Sequence, residues 1–510
     1  MPITTTSVQQ IGWNEISRNT RARAWKLRLA VLAGLLLFGG LGGALAYRYW
    51  RAQPAFTPED EAAVANAPSI NWWKNLAVPA AGVAAPENDV FYVSPNGSDN
   101  ASGRQNAPWH SLRYAVGRLQ AGQTLYLRNG VYREYVEINN SGRPGAPLTI
   151  AGYPGEKAVI DGTGLNWRYG LSFTKSSYIT VQNLTIRNFP GFGVIGWIDN
   201  NYITLRDLQI SRIGTPIKFS ANRGPSPSTH LTIENVNAAD YTSSGLDMGP
   251  GAVADVTVRN LTLSGIVGGN ETAIDGLSVE NGTRIYLEKV KVIGHPGDGI
   301  DLKADNITVR QAEVRDFGRN GLKLWGRNGS IENCLVTSAR SPVTVFTAQG
   351  EGPYFIRNNL FSNGPGHSYL ATLGPAEAPK NGVKSLITLQ GNIFYNAENS
   401  GTTIDIASWV QLQPDSGYNL YYAPNRTDAV AAYNGKVFTA EQINKGAWAA
   451  AVGADQRSRY LNPRVADDFT LQSNSPAVDA LPAAFAPALD LAGHKRPAGL
   501  RSDIGPYEKL

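Results

Sequence analysis

The chain has 510 residues, 54 of them Gly, one Cys and a formal charge of +5. Residues 1–51 hold seven basic residues against Glu15. Removing them leaves 39 basic and 40 acidic residues, a net of −1, so the bulk of the chain lacks the charge of a nucleic-acid binder. With Cys334 alone, no disulfide framework or thiolate metal site forms within one chain.

In chain order, a basic tail (1–28) precedes "LAVLAGLLLFGGLGGALA" at 29–46, an uncharged run of 18 that just reaches bilayer-crossing length. Five basic residues precede it and two follow, which predicts a single-pass anchor in the plasma (inner) membrane. The N-terminus is then cytoplasmic and the bulk periplasmic or extracellular. The alternative is a signal peptide cleaved near Ala46, giving a secreted protein. Residues 47–88, rich in Ala and Pro, read as a linker.

The globular part opens at "DVFYVSPNGSDN" and is followed by "SLRYAVGRLQAG" (111–122), which predicts a short amphipathic capping helix. Strand-like runs then continue to about residue 422. Eight of them, from "ITVQNLTI" to "YFIRNNLF", consist of two short strands joined at one polar residue. That residue is in turn Asn183, Asp207, Asn235, Asn260, Lys289, Gln311, Asn333 and Asn358, spaced 24, 28, 25, 29, 22, 22 and 25 residues apart. Such a period suits one turn of a solenoid, each turn burying its apolar face only against its neighbours. Asn at the bend can bond the next Asn along the stack.

A third strand lies in each interval, including "TPIKFS", "SGLDMG", "DGLSVE", "DGIDLK" and "NGLKLW". Three strands per turn predict an all-β parallel β-helix over 89–422, right-handed by the rule for parallel crossovers, with a C-terminal extension (423–510) packed on it. Side chains alternate along a strand. Leu246, Leu277, Ile300, Leu322 and Val343 then point inward, and Lys218, Asp247, Ser278, Asp301, Lys323 and Thr344 form an outward column. Lys303 and Trp325 stand beside it, with Asp275 and Asp298 just before their strands.

A groove of acids, lysines and an aromatic suits an acidic polysaccharide. Lys218 and Lys303 are candidates to meet uronate carboxylates, Asp247 to contact substrate, and Trp325 and Trp197 to stack on sugar faces. Asp275, Asp298 and Asp301 offer hard oxygen ligands for Ca²⁺. Lys323, one turn beyond Asp301, is the candidate base for removing a C5 proton and expelling the O4-linked sugar. A plain cross-strand pair between Asp301 and Lys323 on a soluble face is the competing reading, with the pair exposed and of little energetic weight. His295 and His367 read as isolated loop residues.

The elements "DG" (275–276), "DGID" (298–301) and "NGLKL" (320–324) resemble the calcium and catalytic motifs of family 9 polysaccharide lyases, pectate lyases built on a right-handed parallel β-helix. The resemblance implies that Asp275, Asp298 and Asp301 are calcium ligands and Lys323 is the base. Gly297 stands where that family has a further Asp. On the same fold, a C5-epimerase, a glycoside hydrolase using Asp247 and Asp301, and a non-catalytic glycan-binding protein remain open alternatives.

Overall fold

The computed structural model describes residues 89–510, apart from 221, 223–225, 267–273, 348–352, 364–369, 375–381, 383 and 400. The anchor expected at 29–46, the tail before it and the linker to 88 lie outside the described residues. Among the described residues no helix is long and apolar enough to cross a membrane.

Parallel pairing of strands a full turn apart builds a β-solenoid, and one antiparallel pair, Ala431–Tyr433 with Lys436–Phe438, stands near its end. The repeat is legible at its corners. All eight bend residues from Asn183 to Asn358 have left-handed backbone, with φ between 50° and 56°. Asn and Asp tolerate this region because a short polar side chain offsets the steric cost locally. Their amides then run as a ladder: Asn260 Nδ2 donates to Asn235 Oδ1 at 2.8 Å, and Asn235 Nδ2 to Asp207 Oδ1 at 2.9 Å.

The ladder changes partner farther along. Gln311 Nε2 and Asn333 Nδ2 donate instead to the carbonyls of Asp490 and Leu489, each at 2.6 Å. The C-terminal extension therefore lies against these corners. It also covers Leu335, Leu360, Ile393 and Leu420, which stack in register on successive turns, with Leu471, Ala477, Leu481 and Ile504. Arg496 and Glu508, each side chain 1% exposed, close the extension with a 3.1 Å ion pair. The solenoid itself runs past residue 422, since Ala431–Tyr433 pairs in parallel with Ile404–Ile406.

Inside, Leu246, Leu277, Ile300, Leu322 and Val343 are fully buried and belong to one core. Burying such a side chain is worth about 1.5–3 kcal/mol. A second internal device is a ladder of buried amides, Asn359 to Asn392 to Asn419, each Nδ2 donating 2.9 Å to the next Oδ1. On one outer face charges alternate in register from turn to turn: Arg259, Glu288, Arg310, Glu332, Arg357. Like charges are thus kept from sitting opposite one another.

The expected helix at 111–122 is shorter than its pattern. It covers Leu112–Val116, capped by Ser111 and ended at Gly117. Glu134 takes the free backbone N–H groups of Leu112 and Arg113 at 2.9 and 3.1 Å.

His295 is a core residue, not a loop residue. Its Nε2 lies 2.7 Å from the Tyr241 hydroxyl and its ring stacks over Phe317, while Nδ1 has no hydrogen-bond partner among the described residues. Burial pushes its pKa down to about 4. Between the ordinary value near 6.5 and about 4 the unfolded chain binds a proton that the native chain refuses, so stability falls as pH falls through this window. The slope is at most about 1.4 kcal/mol per pH unit. Urea unfolding at pH 7 and pH 5 is expected to show this loss, and His295→Gln, which keeps an acceptor for Tyr241, to flatten it. An unchanged pH slope in His295→Gln would contradict the assignment.

Candidate functional site

The predicted outward column is real. Lys218 pairs in register with Asp247, Asp247 with Ser278, Ser278 with Asp301, Asp301 with Lys323, and Lys323 with Thr344. The turns that enter these strands place the acids. Asp275 Oδ1 accepts from the backbone N–H of Asp298 at 2.8 Å, and Asp298 Oδ1 accepts from that of Asn320 at 2.9 Å. Each "DG" or "NG" turn is thereby hooked to the next. Gly is required within it: a Cβ on Gly299 would lie 2.7 Å from the Gly321 carbonyl oxygen and 2.6 Å from Val314 Cγ1.

One oxygen of Asp298 serves this hook, and the other faces Lys323. Lys323 Nζ lies 2.9 Å from Asp298 Oδ2 and 3.1 Å from Asp301 Oδ2. Lys303 Nζ reaches the same Asp301 oxygen at 3.1 Å and Glu280 Oε1 at 2.6 Å. Arg319 Nε stands 3.8 Å from Asp298 Oδ1. The Asp301–Lys323 contact is no exposed surface pair, which corrects the exposure expected of it under either reading. The Lys323 side chain is 12% exposed, and those of Asp298 and Asp301 are 1% and 4% exposed.

Electrostatics follow from this crowding. Burial, joined by the charges of Asp298 and Asp301, pushes the Asp275 carboxyl up to about 7. Burial also pushes Asp301 up, but Lys303 and Lys323 outweigh it and hold the carboxyl below its usual range. For Lys323 burial pulls the pKa down, yet Asp301 and Asp298 prevail and raise it. Lys303 is likewise raised, by Asp301 and Glu280 against burial.

Asp275, Asp298 and Asp301 each bring a carboxylate oxygen within 4.8 Å of the others. Asp301 Oδ1 is buried with no hydrogen-bond partner among the described residues. Three hard oxygens, a further Asp301 oxygen without a partner, and a carboxyl raised by burial and by its neighbours' charge fit a divalent cation with oxygen preference.

Other sequence-predicted residues stand apart or differ in state. Lys218 and Asp247 form their own ion pair. Trp325 is 5% exposed, its ring 5.3 Å from Lys323 Nζ, so it packs against the lysine and is not an open platform. Trp197 is partly exposed and contacts Tyr169, not the acidic cluster. Glu280, Arg319 and Asn320 were not singled out by sequence. Asn320 carries a signal in retrospect, because "NG" occupies the same turn as the two "DG" pairs.

Gly297 also has a structural reason. A Cβ there would lie 2.6 Å from both the Ile274 carbonyl oxygen and Asp275 Oδ1. Gly297→Asp is therefore expected to cost about 1–3 kcal/mol of stability through overpacking and not to tighten Ca²⁺ binding. Thermal melting and calorimetric titration check this. Tighter binding at unchanged stability would contradict it.

The fold and this cluster define a right-handed parallel β-helix protein. Residues 91–262 match the family model for the Pel9A-like right-handed β-helix region, and residues 275–415 match that for a right-handed β-helix region. More particularly, the chain is pectate-lyase-like. It is 45% identical over 77 residues to pectate lyase PEL9 of Emericella nidulans, covering 15% of this chain and 19% of that protein. It is 25% identical over 244 residues to the uncharacterised protein YwoF of Bacillus subtilis, covering 46% and 47% respectively. Among solved structures, pectate lyase Pel9A aligns over 84% of this chain and 98% of its own at 17% identity and a TM-score of 0.44. The chain spans less than half the length of the curated relatives it matches.

Proposed function

We propose that the protein is a polysaccharide lyase that cleaves a uronate-containing polymer by β-elimination. The observation that carries this reading is the position of Lys323, an amine held between Asp298 and Asp301 where Asp275 completes a cluster of three acids. Asp275, Asp298 and Asp301 would hold Ca²⁺, which when bound supplies positive charge to neutralise the substrate carboxylate and acidify the adjacent C5 proton. Lys323 takes that proton. The C5–H and C4–O4 bonds break, a C4–C5 double bond forms, and the departing oxygen is protonated from solvent.

Lys323 as found is an ammonium, stabilised by the same carboxylates that would hold the ion. It becomes a base only when those charges are engaged elsewhere. The chain therefore ties base strength to cation occupancy through Asp298 and Asp301.

An inverting hydrolase is less well supported. Of its two carboxyls, Asp301 is held ionised by Lys303 and Lys323 and is a poor proton donor, and Asp247 is engaged in an ion pair with Lys218. The test is incubation with a panel of uronate polymers, with and without Ca²⁺. Product absorbing in the ultraviolet indicates a lyase. New reducing ends without absorbance would indicate hydrolysis, and altered C5 configuration without cleavage an epimerase.

The anchor at 29–46 completes the proposal by tethering the β-helix outside the cytoplasm. Membrane fractionation after a carbonate wash is expected to retain the full-length chain, and a soluble species beginning near Tyr47 would replace the anchor with a cleaved signal.

A further inference from the structure

A patch of aromatic rings covers the N-terminal turns, away from the acidic cluster. Tyr135 stacks on Trp167 with centroids 3.9 Å apart, Trp167 meets Tyr169 edge-on at 5.4 Å, and Tyr169 meets Trp197 at 6.1 Å. All four are partly exposed, unlike the stacked rings of Phe361, Phe394 and Tyr421, which fill the core. Tyr135 also packs against the core, while Trp167, Tyr169 and Trp197 do not belong to it.

Cations border the patch. The Arg113 guanidinium lies 4.5 Å from the centroid of the Tyr135 ring, and Arg168 falls between Trp167 and Tyr169 in the chain. Both arginines are exposed, and neither has a carboxylate partner among the described residues. Farther along the solenoid Arg259 and Arg310 are both paired with Glu288. One carboxylate lies in the patch, Glu137, whose Oε1 accepts from the Tyr169 hydroxyl at 3.0 Å, and Arg113 stands over Tyr135. Two exposed guanidinium groups beside partly exposed rings complement a ligand that carries apolar ring faces and carboxylates together.

The patch meets the start of the column of strands that leads to the acidic cluster. Ile195, two residues before Trp197, pairs in register with Lys218, and the pairing runs on through Asp247, Ser278 and Asp301 to Lys323. Trp197 and Lys323 are five turns apart, about 24 Å at the ordinary strand spacing. Only a polymer spans that distance.

We infer that this aromatic and arginine patch is a distal anchoring subsite for the same acidic polysaccharide, gripping sugar rings and their carboxylates several units from the bond that is cut. The inference rests on the proposed function and adds to it a dependence on chain length.

The test measures binding without cleavage, on the Lys323→Met chain in Ca²⁺ and on the otherwise native chain in chelator. Polygalacturonate, alginate and a galacturonate trimer are the probes. The exposed double variant Arg113→Gln/Arg168→Gln, and separately Trp167→Ala, are expected to weaken polymer binding about tenfold. Trimer binding, which cannot reach from Lys323 to the patch, is expected to stay the same. Unchanged polymer binding in both variants would overturn the subsite while leaving the lyase reading intact, and so would an equal loss for trimer and polymer. Failure of the parent chains to bind either polymer would sink the lyase reading and the subsite with it. Loss of binding to anionic lipid vesicles in place of polymer would assign the patch to a membrane surface and also overturn it.

Discussion

Lys323→Met is expected to lower turnover by about 10²–10⁴-fold, the usual weight of one positioned acid–base group, while polymer binding persists. The methionine keeps the length of the side chain and removes only the amine. Lys323→Arg is expected to fail equally, because a guanidinium does not give up its proton near neutral pH.

The same substitution carries a stability signature. Lys323 is the cation between two buried carboxylates, so its loss leaves Asp298 and Asp301 facing one another with less compensation. Removing one partner of a buried pair costs about 3–5 kcal/mol. Added Ca²⁺ should recover much of this, since an ion held by the same oxygens replaces the lost charge. An exposed pair would show neither the loss nor the recovery. Melting curves of Lys323→Met with Ca²⁺ and with chelator separate the cases, and a curve that matches the native chain in both would contradict the buried cluster.

Asp298→Asn is expected to cost both cation and stability. Asn retains an acceptor for the Asn320 N–H groups but turns an amide donor toward Lys323, where two donors repel. Ca²⁺ affinity is expected to fall by at least the about 10–100-fold that loss of even an outer partner typically costs, with destabilisation of about 3–5 kcal/mol. Asp275→Asn makes the informative contrast. Its carboxyl is already pushed toward the neutral form by burial and by its neighbours' charge, so neutralising it relieves both and leaves the cation-free chain as stable or more so near pH 7. Ca²⁺ binding still weakens, because a ligand is gone. Calorimetric titration and urea unfolding of the two variants give opposite stability signs if the cluster is as described, and losses of one sign in both would contradict it.

Much of this was legible in the sequence, for a physical reason. Every turn of the solenoid must bend at a fixed place, and the polar residues that take left-handed backbone mark it, from Asn183 to Asn358. The period of two along each strand then assigned Ile300 and Leu322 to the core and Asp301 and Lys323 to the outer column.

What the sequence did not show depends on neighbours that no single turn contains. Lys323 reads as exposed from its strand pattern, and its burial arises with Asp298 and Asp301 of the adjoining turn and Trp325 of its own strand. His295 reads as an isolated loop residue, while its ring reaches back to Tyr241 across 54 positions. Gln311 and Asn333 fit the amide ladder by pattern, but the C-terminal extension supplies their acceptors from more than 150 residues away. The helix at 111–122 was cut short by Gly117, where periodicity alone carried on.

The most direct measurement of the central claim is a continuous ultraviolet time course on a uronate polymer that the protein cleaves. Ca²⁺ is present from the start, a chelator is added midway, and Ca²⁺ is then restored in excess. With Asp275, Asp298 and Asp301 holding the ion and Lys323 removing the proton, absorbance from unsaturated product should rise, stop and resume, and the Lys323→Met chain should stay flat throughout. Absorbance that continues unchanged through the chelator, or that rises at the native rate without Lys323, would place the chemistry outside this cluster.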